Sequence, residues 1–334
     1  MNAALFQQAG IAGANLVQIA ADIEMVEQAL QDLTASGVEV TQKVGRHTLE
    51  SGGKRLRPVF LLLSARAAGG TFEASRAVRL GACMELIHMA TLIHDDVIDE
   101  AATRRGRPTA ARTFGNTAAI LSGDVMLARA MDVLAEDGDI RVIRTASKMV
   151  VEMAEGEARE VEFRYNFDLS LEDHLVILRM KTAAFVECCC RIGSYIGGVS
   201  DETAEAMAFY GHHLGIAFQI VDDILDYRGK QAKTGKPKAT DYKEGCATLP
   251  LIFMRDKATE AELEKIKAGF GTESADALID EVLALMEKYD VFSQADALAR
   301  EHLESAMVAL KTLPASSHRD LLESAGHFVL QRSS

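Results

Sequence analysis

Residues 82–100 read ACMELIHMATLIHDDVIDE. The run is mostly apolar until its last six residues, which carry Asp95, Asp96 and Asp99. Carboxylates packed this tightly repel one another unless a cation sits among them. The pattern returns 127 residues later (222 − 95) in IVDDILDY, 220–227, with Asp222, Asp223 and Asp226. At about 100° per residue, positions i and i+4 lie about 40° apart around a helix. Asp95 with Asp99, and Asp222 with Asp226, therefore each project from one face. Both clusters close an apolar helix, where the dipole is negative and a cation is welcome. Hard oxygen ligands in twos and threes suit Mg²⁺, which keeps several waters and shares substrate phosphates. Neither copy has the D-x-D-x-D-G loop of an EF-hand.

Working outward, the 334 residues are 48% hydrophobic and 25% charged, ordinary values for a globular chain. With 49 acidic against 36 basic residues the formal charge is −13, so the molecule as a whole repels nucleic acid and anionic membranes. An anionic small substrate needs a local basic pocket or a bound cation. The five cysteines show no CxxC spacing, and the adjacent Cys188, Cys189 and Cys190 read as small buried hydrophobes of a reducing compartment. The first basic residue is Lys43, so no secretory or Arg-rich transit segment is read. No apolar run approaches the ~20 residues of a membrane span. The expectation is a cytoplasmic protein with no stable membrane insertion and no nucleic-acid partner.

Five prolines occur and none lies between 109 and 236, which favours long helices there. Apolar residues recur at three and four spacing through 74–98, 115–135, 139–161, 171–196 and 202–227. Ser170 precedes Asp173 by three and Thr259 precedes Glu262 by three, two helix-start signals. Strand-like alternation is nearly absent. Breakers cluster at 51–58, 104–109, 69–70, 197–198 and 228–245. The chain reads as one all-α domain over 1–334, with 1–42 a helical extension packing on it and shorter helices after 250.

Basic residues gather in loops beside the acidic helices. Lys54, Arg55 and Arg57 lie in GGKRLRP (52–58), Arg104, Arg105 and Arg107 follow the first cluster, and Lys233, Lys236 and Lys238 follow the second. Against the overall negative charge these are candidate anion sites, since Arg grips phosphate bidentately and Lys acts as a point charge. His88, seven residues before Asp95, falls about 20° from it in projection. Gln219 precedes Asp222 by three. Lys181, in LRMKTAAF (178–185), interrupts an apolar helix and needs an anionic partner if buried.

Together GGKRLRP, ELIHMATLIHDDVIDEAATRRGRPT, GNTAAILSGD (115–124), RMKTA, FQIVDDILDY and the 234–250 region resemble the trans-prenyl diphosphate synthases, in order and spacing, from about Lys43 to near the C-terminus. The resemblance implies the all-α isoprenoid synthase fold, a bundle of helices around a central cavity, a homodimer, and about three Mg²⁺ per active site. It implies Asp95, Asp99 and Asp222 as metal ligands, with Asp96, Asp223 and Asp226 in support. Lys54, Arg57, His88 and Arg105 would hold the diphosphate of isopentenyl diphosphate. Arg104, Lys181, Thr182, Gln219 and Lys236 would contact the allylic substrate or its metal-bound diphosphate. The chemistry explains these residue types, because an ionising allylic diphosphate releases charge that metals, Lys and Arg stabilise. The double bond of isopentenyl diphosphate then attacks the allylic cation, and a proton leaves to the released diphosphate. Two positions depart from the family: Cys246 stands where Lys is usual, and Ala239 where Gly is usual. Lys243 or Lys238 are the candidates to replace the missing cation.

A terpene cyclase shares DDxxD, but cyclases wall their cations with aromatic faces. This chain has no Trp and only 6% aromatic residues. A metal phosphohydrolase built on His94 and Asp95 leaves the duplicated motif and RRG unexplained. A non-catalytic subunit of a heteromeric synthase would have lost an aspartate motif, and both are intact.

Product length is read from residues beneath the first cluster. Thr91, Ile87 and Met84 precede Asp95 by four, eight and eleven and project within about 80° of it. Met84 lies roughly 16 Å deeper along the axis. Similar short-chain synthases carry bulky aromatics four or five residues before the first Asp; here those positions are Thr91 and Ala90. Met131, in ARAMDVL (128–134), stands where long-chain members often carry Phe. The expectation is an octaprenyl to decaprenyl product grown on farnesyl or geranylgeranyl primers for a quinone side chain. The alternative is a farnesyl or geranylgeranyl product.

Overall fold

The computed structural model describes residues 14–69, 73–229 and 238–331. Their helices are α1 (Ala14–Thr34), α2 (Glu39–Glu50), α3 (Leu56–Ala67), α4 (Ala74–Ile98), α5 (Ala110–Phe114), α6 (Asn116–Asp137) and α7 (Ile140–Phe163). Then follow α8 (Leu171–Leu178), a π-helical turn (Arg179–Ala183), α9 (Ala184–Ile196) and α10 (Asp201–Arg228). Shorter elements complete the order: α11 (Thr240–Glu244), α12 (Leu249–Arg255), α13 (Glu260–Lys267), α14 (Ala275–Lys288), α15 (Val291–Leu310) and α16 (Ser317–Gln331). The five periodic stretches thus become α4, α6, α7, α8–α9 and α10. Ser170 Oγ accepts from the Asp173 N–H at 3.0 Å and starts α8. Thr259 and Glu262 form a reciprocal capping box that starts α13.

Two local features were not anticipated. RRGR forms a minimal hairpin, β1 (Thr103–Arg104) against β2 (Arg107–Pro108), with Thr103 opposite Pro108 and Arg104 opposite Arg107. Too short to alternate, it left no strand-like pattern. The stretch 171–196 is also not one uniform α-helix, because its middle widens into the π turn.

The chain divides into two compact units. One comprises Met1–Ala146, Cys189–Met207 and Thr312–Ser324; the other comprises Ser147–Cys188, Ala208–Lys311 and Ala325–Ser334. In the first unit α4 is the spine, flanked by α1, α3 and α6. Its residues 81–90 are buried on every side, as expected of a helix at the centre of a bundle. Arg66 of α3 clamps α1 through both oxygens of the fully buried Asp22, at 2.8 and 2.9 Å. In the second unit α12 packs on α14 and α15, and α10 buries Tyr210, Ile220, Val221, Ile224 and Tyr227. Among the described residues no helix is long and apolar enough to cross a membrane.

Candidate active site

In the first unit α4 ends in the first aspartate cluster, with Asp99 as its C-cap. Asp95 is half-buried and Asp99 exposed, whereas Asp96 is buried and accepts from Arg104 Nε at 2.7 Å. Burial pushes the Asp96 carboxyl above its usual range, against the pull of Arg104.

Arg104 is delivered by the hairpin, whose turn residues Arg105 and Gly106 both have positive φ, 53° and 75°. That is the geometry of a type I′ turn. Gly adopts it freely, while for Arg the left-handed backbone costs about 1 kcal/mol or more. The return is a fixed placement: Arg105 donates to Gly52 O, Arg107 to Glu50 O at 2.8 Å, and a His47 ring nitrogen meets Pro108 O at 2.8 Å. The hairpin tip is therefore tied to the end of α2 and the Gly52–Gly53 loop.

Beside it, Arg55 caps α3 in a left-handed conformation. It is committed to carboxylates, donating to Glu27 at 2.7 and 3.2 Å and to Glu85 at 3.0 Å. Glu85 is 2% exposed, and its second oxygen is buried without a hydrogen-bond partner. Burial lowers the Arg57 guanidinium against the attraction of Glu85, and also lowers Arg105. His88 is held far below its ordinary range, first by burial and then by Arg57, Arg105, Arg104 and Arg55. A neutral imidazole among four guanidiniums is a neighbourhood that rewards an anion. Of the residues expected to hold a diphosphate, Arg57, His88 and Arg105 share this field, and Lys54 is exposed in the adjoining loop. Sequence reasoning missed Glu27, which has no local motif, and Glu85, which lies inside the quoted ELIHMATLIHDD stretch but was given no role there.

Farther along α4, Met84, Ile87 and Ala90 are buried, and Thr91 Oγ1 donates to His88 O at 2.9 Å. Met131 on α6 is half-buried.

The second unit holds the other cluster at the end of α10. Asp222 is exposed; Asp226 Oδ2 accepts the Asp241 N–H at 3.0 Å. Asp223 is buried, with Oδ2 on a His174 ring nitrogen at 2.9 Å and Oδ1 on Gln219 Nε2 at 3.2 Å. Gln219 Oε1 in turn accepts from Thr182 Oγ1 at 3.1 Å.

Thr182 and Lys181 both sit on the π turn. The anionic partners that Lys181 requires are Glu160 at 2.7 Å and Glu157 at 2.9 Å, on α7. Burial works to lower the ammonium, but the two carboxylates outweigh it and hold its pKa above the ordinary value. Two glycines admit the wide turn. A Cβ on Gly156 would lie 2.7 Å from Met180 Cβ, and one on Gly215 2.5 Å from Ala183 Cα. Wide turns of this kind recur at functional sites. His174, Glu157 and Glu160 were not foreseen. Lys236 lies outside the described residues.

The Cys246 thiol is pushed up to about 12, mainly by burial and then by Glu160 and Asp241. It is a neutral thiol. Lys243 is ion-paired with Asp276, and Lys238 is exposed.

Among the described residues, no three His, Cys, Asp or Glu side chains form a ready-made metal cage. The donor set nevertheless fits Mg²⁺, which binds through one or two carboxylates and completes its shell with water and phosphate oxygen. Asp95 with Asp99, and Asp222 with Asp226, can supply those carboxylates; Asp96 and Asp223 are buried on Arg104 and on His174 with Gln219.

Residues 38–286 match the Polyprenyl synthetase family. The chain belongs to the polyprenyl synthetase family. Heptaprenyl diphosphate synthase component 2 of Geobacillus stearothermophilus is 34% identical over 312 residues, 93% of this chain and 96% of that protein. The crystal structure of a decaprenyl diphosphate synthase from Rhodobacter capsulatus is 34% identical with a TM-score of 0.89, covering 95% of this chain and 98% of that one. A polyprenyl synthase from Caulobacter crescentus CB15, complexed with calcium and isoprenyl diphosphate, is 31% identical with a TM-score of 0.90, covering 96% and 97%. Other relatives of comparable identity carry names from short-chain to nonaprenyl synthase. This polyprenyl synthetase is thus a prenyltransferase with the all-α isoprenoid synthase fold. The cyclase and phosphohydrolase readings fall away.

Proposed function

We propose that the protein condenses isopentenyl diphosphate with an allylic diphosphate to make a long all-trans polyprenyl diphosphate, octaprenyl to decaprenyl. The observation that carries the reading is the twofold pattern of the aspartate clusters. In each, the middle carboxylate is buried on side-chain donors, Arg104 for Asp96 and His174 with Gln219 for Asp223, and an exposed carboxylate stands at the same helix end, Asp99 in one and Asp222 in the other. We take both units as parts of one synthase domain.

Bound Mg²⁺, about three ions, would neutralise the diphosphate leaving group. The chain's own groups supply the rest. Lys181, steadied by Glu157 and Glu160, presents fixed positive charge to the allylic diphosphate, and Arg104, steadied by Asp96, is a fixed cation beside the first aspartate cluster. Thr182 and Gln219 orient it by hydrogen bonds. Lys54, Arg57 and Arg105 bind the diphosphate of isopentenyl diphosphate, and His88, kept neutral, adds a hydrogen bond without charge. Their arrangement before substrate arrives is what lowers the barrier, since no reorganisation is needed at the moment of ionisation.

A long product follows from the small side chains at Ala90 and Thr91, above Ile87 and Met84, with flexible Met131 opposing less obstruction than a ring. Incubation with farnesyl diphosphate and excess isopentenyl diphosphate, read by mass, tests this: products of eight to ten units are expected, and arrest at geranylgeranyl diphosphate refutes it. Ala90→Phe should then shorten the product to about farnesyl or geranylgeranyl length, and Met131→Ala should lengthen or broaden it. The working form is a cytoplasmic homodimer supplying a quinone side chain. Because two relatives are named as a component 2, the purified chain should be assayed alone; full activity without a second polypeptide supports the homodimer, and none supports a heteromeric enzyme.

A further inference from the structure

We propose that His174 is a positioning residue of the second aspartate cluster: with Thr182 it pins α8 and the π turn to α10, and so sets where Lys181 stands relative to Asp222.

A line of hydrogen bonds links α8 and the π turn to α10. His174 lies on α8 and Thr182 on the π turn that continues α8 into α9. Between them, on α10, stand Gln219 and Asp223, one helical turn apart. Thr182 Oγ1 donates to Gln219 Oε1 at 3.1 Å, and Gln219 Nε2 donates to Asp223 Oδ1 at 3.2 Å. The line closes with the His174 ring nitrogen, 2.9 Å from Asp223 Oδ2. A carboxylate accepts only, so the nitrogen facing it is the donor. Each donor and acceptor in the line is used in one direction, which fixes the Gln219 amide and the plane of the Asp223 carboxylate.

Burial makes the line consequential. The side chains of His174 and Asp223 are 5% and 3% exposed. Without His174, a buried carboxylate oxygen loses this hydrogen bond, a costly arrangement that the helix end relieves by moving. What moves is the segment bearing Asp222 and Asp226. On the other side the backbone of the π turn lies close against Gly215 and Gly156, which leaves the chain that carries Lys181 little room to follow. Partners that orient ligand-bearing carboxylates typically change metal affinity by about 10–100-fold when removed.

This role rests on the reading of the Asp222 cluster as a divalent-metal and diphosphate site, and the test separates the two. Mn²⁺ binding is measured by electron paramagnetic resonance with inorganic pyrophosphate present, for wild type, Asp222→Asn, His174→Leu and His174→Gln. Melting temperature and KM for each substrate are measured on the same proteins. His174→Leu should weaken Mn²⁺ binding by about 10-fold or more and raise KM for the allylic diphosphate, with KM for isopentenyl diphosphate within about twofold. His174→Gln, which can present an N–H at similar reach, should recover most of both. Thr182→Val cuts the far end of the line and should raise the allylic KM alone, which keeps the proposal open to refutation if the leucine variant does not fold. Unchanged Mn²⁺ binding in His174→Leu, equal shifts in both KM values, or no recovery with Gln overturns the positioning role. Wild-type Mn²⁺ binding indifferent to Asp222→Asn overturns the functional reading and this role with it.

Discussion

Replacing Gly215 by alanine should damage catalysis more than stability, and the disparity is the informative quantity. The added Cβ would sit 2.5 Å from Ala183 Cα and 3.0 Å from Ala183 Cβ. Carbon atoms rest at about 3.5–4.0 Å, so about 1 Å must be found. The obstruction is the backbone of the π turn, which has no flexible end to swing aside. Overpacking of this kind costs about 1–3 kcal/mol. Removing a mid-helix glycine returns about 1 kcal/mol, leaving a net loss of about 0–2 kcal/mol. The displaced backbone carries Lys181 and Thr182, two and one residues before Ala183, and a 1 Å misplacement near reacting groups costs about 10²-fold in rate. Urea denaturation and steady-state kcat, measured on one preparation, should show a small shift in midpoint and a large loss of turnover. Gly37→Ala, where nothing lies within 4 Å of the new carbon, is the control and should match wild type in both. A Gly215→Ala enzyme with wild-type kcat and raised stability would refute the close approach and the reasoning built on it.

Asp95→Ala and Asp222→Ala should each abolish most turnover while the protein still folds, because each removes charge from a cluster that repels itself without a cation; near wild-type kcat for Asp222→Ala at saturating Mg²⁺ would contradict the proposed metal role. Cys246→Lys places an ammonium beside Glu160 and Asp241 and should lower KM for the allylic diphosphate without changing that for isopentenyl diphosphate; an unchanged allylic KM would mean that the site already has its cation. His213, whose ring nitrogen lies 2.9 Å from that of His302, is depressed from 6.5 to about 4 by burial and its histidine neighbours. The unfolded chain therefore takes up this proton first, so its contribution is full above about pH 6.5 and is lost as pH falls towards 4; in urea titrations His213→Gln should flatten that decline, and an unaltered slope would exclude His213 as its source.

The helices were legible because their apolar period is unbroken and their ends carry caps: Ser170 and Thr259 were read as starts and are starts. The wide turn at Arg179–Ala183 was not legible. Its cause lies in Gly156 and Gly215, on two other helices, and no local pattern in RMKTA announces it. The hairpin at Arg104–Arg107 escaped for a different reason: a two-residue strand has no period, and Arg-Gly is a weaker turn signal than Asn-Gly. Among site residues, those on a repeated motif were found, while the carboxylates that hold them in place (Glu27, Glu85, Glu157 and Glu160) were not. A positioning residue is defined by what it touches, and for these four the partners are about 20 to 30 positions away in the chain.

One feature of the aspartate clusters follows from helical geometry alone. In D-D-x-x-D the first and last residues differ by about 40° around the axis, but the second stands about 100° from the first. If the outer pair faces a solvated site, the middle carboxylate must turn towards the packed side of the helix. Both copies follow it in degree: Asp96 and Asp223 are 5% and 3% exposed, whereas Asp99 and Asp222 are exposed and Asp95 and Asp226 half-buried. A buried carboxylate is tolerable only with donors, and each copy recruits its own, Arg104 in one and His174 with Gln219 in the other. The two solutions share no sequence signal because the requirement is for a hydrogen-bond donor at a position in space, not for a residue type at a position in the chain. The middle aspartate is thus the anchor that fixes the helix end, and its partners, rather than the motif, distinguish one cluster from the other.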